Sequence, residues 1–296
     1  MSATGITYYD RPVLKEPVWI WTVPAYIFVG GVAGAAMTLG LAVELIGGSR
    51  LRAFDERCRW IGAVGGGIGS ALLIADLGRK SRFFAMLRVL RPSSPMSIGS
   101  WVLATATPLS AGSALLTLQR DGVLRAAGQL AGASAGILGM PLATYTAVLL
   151  GNSAVPLWLI TRNTMPLLFG ASSAASLGSV FDLMRLNREE QSIATRFQLV
   201  GRVAELAAAE AVERQACSNE RVGRPLREGV SGAIWQAAKV LNVASLVLTI
   251  MPGNSKMRRR IAGVCGILGG IAVRFAIFHA GKASTRDPRA TFEQQR

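Results

Sequence analysis

The chain has 296 residues, of which 51% are hydrophobic and only 17% are charged, and its mean hydropathy is +0.38. Soluble domains carry roughly 25% charged residues, so this composition excludes an ordinary soluble protein and favours an all-α, polytopic membrane protein. The formal net charge is +15. Because the basic residues lie in short segments between apolar runs, they indicate membrane-flanking charges and a lipid partner, and no nucleic acid.

The apolar runs predict about eight transmembrane helices, because a bilayer core needs about 20 apolar residues per helix. Both termini would then lie on one face of the membrane. Lys and Arg are too evenly divided between the two faces to decide sidedness. The predicted spans are 18–46, 60–77, 98–118, 130–150, 165–186, 197–212, 233–251 and 261–280.

Three regions follow from these spans. Residues 1–17 are predicted to be an extramembrane segment, 18–280 a transmembrane domain and 281–296 an extramembrane tail. The N-terminus has no compact basic region leading into a short apolar run and a cleavage site, so we expect the first span to stay in the mature protein.

An acid stands at the end of the second apolar run. A carboxylate in the bilayer costs roughly 2.5–3.5 kcal/mol even on the lenient insertion scale, so Asp76 indicates either a working site or buried pairing. The basic segment 78–97 follows, and its polar turn Ser93–Ser97 opens the third run. This segment is typical of an interfacial helix on anionic lipid or of a docking surface, and both can hold. Its basic residues are Arg79, Lys80, Arg82, Arg88 and Arg91.

Further charged residues lie within the predicted spans. For Glu205 and Arg274 the same cost favours function or buried pairing. For Glu44 and Asp182, which lie near the ends of spans, hydration at a helix end is at least as good an explanation.

Redox centres held by this chain itself are unsupported by its sequence. It has one histidine, His279, which cannot provide the two axial ligands of a bis-histidine haem. Its cysteines, Cys58, Cys217 and Cys265, are far apart and form no metal or cluster motif. If the protein handles electrons, the redox centre is therefore a diffusible cofactor or belongs to a partner.

Two tyrosines are expected on the same face as Asp76. Tyr26 is near the start of an odd-numbered span, and Tyr145 is near the end of an even-numbered one. A phenol can hydrogen-bond a quinone carbonyl while its ring packs against apolar groups. Glycine-rich stretches such as 30–34 have a plainer explanation, since small residues let neighbouring helices approach closely.

Taken together, several blocks resemble the NrfD/PsrC-type (polysulfide-reductase-like) membrane subunit of bacterial respiratory oxidoreductases. The most specific part runs from Asp76-Leu77-Gly78-Arg79 to Gly99-Ser100-Trp101. The other blocks are Trp19-Ile20-Trp21, Pro24-Ala25-Tyr26, Gly30-Gly31-Val32-Ala33-Gly34, Arg82-Phe83, Ser94-Pro95-Met96-Ser97, Tyr145–Leu150, Pro156-Leu157-Trp158, Arg274 and Ala280–Ser284.

This resemblance implies an eight-helix subunit made of two four-helix bundles in the bacterial cytoplasmic membrane. Such a subunit binds menaquinone or ubiquinone near one membrane face and carries no haem or metal cluster. It docks a ferredoxin-like subunit with four [4Fe-4S] clusters, which connects it to a molybdopterin-type or other redox catalytic subunit.

Position by position, the resemblance implies quinone contacts at Tyr26, Asp76, Arg79, Ser97 and Tyr145. A histidine found in some members falls on Tyr26, and a nearby asparagine falls on Val23. The usual proline after the D-L-G-R motif is replaced by Lys80. These departures leave open how the quinone head is held.

The resulting hypothesis is a quinone-binding subunit in which Asp76 accepts a proton and the basic segment docks the iron–sulfur partner. Glu205, Asp182 and Glu44 are a possible proton path, which would couple redox work to the membrane potential. Two other functions fit the same residues. One is a secondary transporter or proton channel, although no internal repeat is evident. The other is a membrane anchor without a quinone site.

Overall fold

The computed structural model describes residues 14–77, 85–119, 121–253 and 255–293. Within these ranges the regular secondary structure is helical, and eight helices have 19 residues or more. The long helices are α1 (Thr22–Gly47), α2 (Arg52–Asp76), α3 (Pro95–Leu116), α4 (Gly122–Gly151), α6 (Met165–Leu183), α7 (Arg188–Ala216), α9 (Gly229–Ile250) and α10 (Lys256–Ser284). The short helices are α5 (Pro156–Ile160), α8 (Glu220–Arg227) and α11 (Pro288–Glu293), and the 3-10 turn Gly48–Leu51 joins α1 to α2.

The long helices pack as two groups of four. Helices α1, α2, α3 and α4 form the first group, and α6, α7, α9 and α10 form the second. Helix α1 lies at the centre, because it packs on α2 and α4 within its own group and on α6 and α10 of the other. The predicted all-α class is therefore confirmed.

Five of the long helices, α1, α2, α4, α9 and α10, are long and apolar enough to cross a membrane. The other three do not meet that criterion of length and apolar character. Helix α6, for example, buries the hydroxyl side chains of Ser172, Ser173, Ser176 and Ser179. A polytopic membrane protein is thus supported, while the count of eight spans and the domain limits at 17 and 280 stay predictions.

Local signals explain where two helices begin. Ser94 caps α3 by accepting a hydrogen bond from the Ser97 amide, and Pro95 occupies the first turn, where it costs no hydrogen bond. Helix α7 opens with a capping box in which Asn187 and Glu190 bond each other's backbone amides. The helix that contains the predicted span 197–212 is longer than that span at both ends, because polar residues on either side continue it.

The ends of the helices define two ends of the molecule. At the first, which we call the Asp76 end, the Thr22 hydroxyl donates to Asp76 over 3.0 Å, and Lys282 donates to the Trp19 carbonyl over 3.2 Å. At the opposite end, the Arg59 end, α1 ends beside the start of α2. There Arg57 pairs with Glu190 of α7 at 2.6 Å, which ties the two helix groups together.

Helices α1 and α4 approach each other at glycines. A Cβ atom added to Gly34 would lie 2.8 Å from the Ala143 nitrogen and would also meet the Gly139 carbonyl oxygen. Thr38 then donates a hydrogen bond across the interface to the Gly136 carbonyl over 3.2 Å. Small residues are therefore required here for backbone contact, as expected from their spacing in the sequence.

We expect Gly34→Ala to lower the free energy of unfolding by about 1–3 kcal/mol, because the new methyl group meets rigid backbone of α4. Gly67→Ala in α2 is the matched control, since a Cβ atom there has open space around it. Thermal unfolding of the purified protein in detergent measures both. Equal melting temperatures for the two variants would contradict the close approach.

Candidate functional site

A cavity of about 80 Å³ opens among the ends of α1–α4 at the Asp76 end. One water needs roughly 10–15 Å³ by the same measure, so the cavity has room for a ring-sized group. Its lining is mainly apolar and includes a carboxylate, two phenols and two small hydroxyls. The lining residues are Trp19, Val23, Tyr26, Ile27, Leu73, Asp76, Leu77, Met86, Met96, Ser100, Tyr145, Thr146 and Leu149.

Tyr26 lines this cavity and carries a polar group that has no partner. The side chain is buried, yet its hydroxyl has no hydrogen-bond partner within the described part of the chain. A buried hydroxyl left unpaired typically costs about 1–3 kcal/mol. The orphaned donor is therefore suited to a ligand that brings its own acceptor.

Asp76 ends α2 and is half-buried, with one oxygen accepting the hydrogen bond from Thr22. Thr22 begins α1, so this contact fixes the carboxylate against the first turn of the neighbouring helix. The sequence analysis did not identify Thr22, because only the antiparallel packing of α1 and α2 brings the two residues together.

Tyr145 comes from the far end of α4, and its ring lies directly against Gly99 of α3. A Cβ atom at Gly99 would overlap that ring, so glycine is required for this approach. The predicted contact Ser97 does not line the cavity. Its hydroxyl accepts from the Arg91 amide over 3.0 Å and donates to the Val89 carbonyl over 3.2 Å, which orders the segment before α3. Ser100, one turn later, lines the cavity instead.

The predicted docking residues are described only in part. Arg79, which was also a predicted quinone contact, lies outside the described residues, as do Lys80 and Arg82. Arg88 and Arg91 are exposed just before α3, in the segment whose Met86 reaches the cavity. Positive charge is thus presented to the surroundings at the Asp76 end.

At the Arg59 end, Arg59 is buried and anchors a network in the first helix group. It pairs with Asp55 at 2.7 Å and with Glu44 at 2.9 Å, and it donates to Ser113 and to the Gly128 carbonyl. The predicted second span began at residue 60 and therefore left Arg59 outside it. Helix α2 in fact begins at Arg52, so Arg59 is a helical residue whose side chain lies among α1, α3 and α4.

A second network runs through the other helix group. Gln198 donates to Asp182 over 2.8 Å and to Ser179 over 3.3 Å. Arg202 donates to the same Ser179 hydroxyl over 2.9 Å and pairs with the fully buried Glu205 at 2.6 Å. Asp182 and Glu205 are therefore connected through side chains of α6 and α7.

Glu44 belongs to the Arg59 network, which shares no described contact with this second one. The three acids of the possible proton path therefore fall into two separate clusters. Neither cluster has a described hydrogen bond to Asp76, whose own partner is Thr22.

Arg274 is a third buried cation, and it has no carboxylate in contact within the described ranges. It donates to the Phe169 carbonyl over 2.9 Å and to the Ser173 hydroxyl over 3.1 Å. Its guanidinium carbon lies 4.3 Å from the centre of the Phe169 ring, which is a cation–π contact. These contacts join α10 to α6.

Two comparisons with known proteins were informative. The family model described as "Polysulphide reductase, NrfD" matches residues 12–209, which include every residue that lines the cavity. No curated protein matches the chain. In the described ranges no three His, Cys, Asp or Glu side chains form a group that could hold a metal ion.

The Arg202–Glu205 pair allows a test of the buried network. Arg202→Leu alone should lower the free energy of unfolding by about 3–5 kcal/mol, because it leaves a buried carboxylate unpaired. Replacing both residues by leucine should cost less than the single change. In the same helix, Arg214→Leu is the control and should cost little, since its pair with Glu210 is exposed.

Denaturation in detergent of the unmodified protein, the single variants Arg202→Leu and Glu205→Leu, their double variant and Arg214→Leu measures these differences. A double variant as unstable as the sum of its two single variants would contradict the pairing.

Proposed function

Because this chain belongs to the NrfD family, whose members are membrane subunits of quinone-linked oxidoreductase complexes, we propose that it binds a quinone or quinol in the cavity at the Asp76 end. We further propose that electrons pass between this site and a docked iron–sulfur subunit. The observation that carries the proposal is the buried, unpartnered hydroxyl of Tyr26, a residue that lines one cavity together with Asp76 and Tyr145.

The chemistry of the lining fits a quinone head group. Phenols donate hydrogen bonds and quinone carbonyls accept them. The Tyr26 hydroxyl has no described acceptor within the protein, so it can donate to a ligand. Val23, Ile27 and Leu149 supply apolar surface around it, which suits the ring and the start of an isoprenoid tail. When bound, a quinol supplies two electrons and two protons.

Asp76 is the group in the lining that can take a proton. It lies at a helix end and is half-buried, so a proton it accepts can pass on to water without crossing the bilayer. The Thr22 hydroxyl holds one carboxylate oxygen and leaves the other free of any described hydrogen bond. Asp76 therefore acts as the proton acceptor in quinol oxidation, and as the donor in the reverse reaction.

The docking surface lies at the same end. Arg88 and Arg91 are exposed beside the cavity and attract an acidic protein surface. The partner we propose is a ferredoxin-like subunit with four [4Fe-4S] clusters, which passes electrons to a molybdopterin-type or other catalytic subunit. Menaquinone and ubiquinone both meet the chemistry of the cavity, and the bacterial cytoplasmic membrane supplies them.

Proton translocation stays a prediction. The polar connection from Asp182 to Glu205 supports a route within the second helix group. Glu44 would have to act separately, through the Arg59 network.

Tyr26→Phe should weaken quinone binding without affecting the fold. Its buried hydroxyl has no described hydrogen bond in the free protein, so its removal should leave thermal stability the same or higher. The affinity for a quinone analogue should fall roughly 2- to 12-fold, which corresponds to one hydrogen bond. Fluorescence titration of the protein in nanodiscs measures the affinity. Thr144→Val, which removes a hydroxyl outside the cavity, is the control, and unchanged affinity in the Tyr26 variant would overturn this contact.

Asp76→Asn should lower the rate of quinol oxidation by the intact complex by about 100-fold or more, because a proton acceptor is lost. Analogue binding should change little. Full activity in the variant would remove the proton role of Asp76.

Glu16→Gln is the matched control at the same end of the molecule. Hydrogen bonding from Arg286 lowers the pKa of Glu16 below its usual value, so this acid is ionised at neutral pH. Its removal changes the net charge by the same amount as Asp76→Asn but touches no residue of the cavity. The rate of quinol oxidation should therefore stay close to that of the unmodified complex.

A further inference from the structure

A second concave surface lies at the Arg59 end, far from the quinone cavity. It is an open basin of about 940 Å³ where the start of α7 and the start of α10 flank the end of α6. Six basic residues line it, together with hydroxyl and amide side chains and a few apolar ones. The basic residues are Arg185, Arg188, Arg196, Lys256, Arg259 and Arg260.

The charge of this basin is largely uncompensated. No acidic residue lines it. Among the described residues, Arg259 is the one cation of the six that is close to a carboxylate, at 3.9 Å from Asp182. The acids at the start of α7 are already engaged, since Glu189 pairs with Arg50 and Glu190 pairs with Arg57. The basin therefore attracts an anion of more than one charge.

Two helix N-termini add to this attraction. Helices α7 and α10 both begin at the basin, at Arg188 and Lys256. The partial positive charges of these helix ends therefore add to the positive charge of the side chains. Phosphate groups are the anions that helix N-termini with basic side chains typically bind.

An apolar surface continues directly from the basin along both helices. On α7, Val200 and Val203 follow Arg196 at helical spacing on the same face, with 73% and 57% of their surface exposed. On α10, Val264 and Leu268 follow Arg260 in the same way and are 46% and 49% exposed. A ligand that fills the basin thus contacts a polar, basic site at one end. It also contacts two exposed apolar stripes, which are Val200 with Val203 on α7 and Val264 with Leu268 on α10.

We propose that this basin is a specific site for an anionic phospholipid, with its phosphates among the arginines and its acyl chains along α7 and α10. Basic pockets between transmembrane helices bind lipids of this type, and a head group with two phosphates matches the number of free cations best. The apolar stripes distinguish a lipid from a soluble phosphate compound or an acidic protein, neither of which would cover them. The site is independent of the quinone cavity, which lies at the other end of the first helix group.

The test compares two double variants with equal loss of charge. Arg188→Gln with Arg196→Gln alters the basin. Arg162→Gln with Arg214→Gln removes two exposed arginines at the Asp76 end and is the control. Each delipidated protein in neutral detergent is titrated with cardiolipin and with phosphatidylcholine, and binding is followed by native mass spectrometry and by the rise in melting temperature.

Cardiolipin should bind the unmodified protein more tightly than phosphatidylcholine. Its dissociation constant should rise roughly 25-fold in the basin variant, at about fivefold for each arginine removed, and less than about twofold in the control. The lipid-free melting temperature should be the same in all three proteins, because the altered side chains are exposed.

Three results would overturn the proposal. Equal losses in both variants would show that only the net charge matters. Equal binding of cardiolipin and phosphatidylcholine would show that the head group is not recognised. Displacement of cardiolipin by millimolar inorganic phosphate would show a site for free phosphate, in which the apolar stripes take no part.

Discussion

The close approach of α1 and α4 is the constraint on which the rest of the structure depends. Gly34 and Gly139 bring two backbones into contact, and no side chain could be added at either position without moving a helix. Because the helices are antiparallel, this contact also fixes how their ends meet. Tyr26 and Tyr145 lie roughly two turns beyond it on their own helices and therefore face the same cavity. A packing rule of membrane helices thus determines the shape of the proposed quinone site.

Buried cations are accommodated in three different ways. Arg59 pairs with two carboxylates, and Arg202 pairs with one carboxylate and donates to a serine and an asparagine. Arg274 keeps its charge unpaired among the described residues and contacts a carbonyl, a hydroxyl and an aromatic ring. Each arrangement joins neighbouring helices of one group. Since charges inside a membrane protein are costly unless they are paired or hydrogen-bonded, these contacts account for much of the charge that lies within apolar helices.

The two proposed ligand sites follow the same physical principle at opposite ends of the molecule. Each combines a polar region at the level of a helix end with apolar surface that continues toward the bilayer. In the cavity the polar part is small, enclosed and contains one orphaned donor, which suits an uncharged head group such as a quinone. In the basin it is open and strongly positive, which suits phosphate. The cavity and the basin differ in charge and in how far they are enclosed, and these differences, more than their volumes, decide which kind of ligand each one suits.

The sequence by itself determined the class of the protein and its family, and it singled out Asp76, Tyr26 and Tyr145, which the fold brings to one cavity. Apolar runs, small-residue spacing and an acid at a helix end are local features of the sequence. Their physical consequences in a membrane do not depend on which helices become neighbours. Only the tertiary structure decided which polar groups meet. It paired Asp76 with Thr22, placed Ser100 rather than Ser97 in the cavity and separated Glu44 from Asp182 and Glu205. These contacts join residues from different helices, and the register between helices depends on the packing of whole faces, which no local pattern encodes.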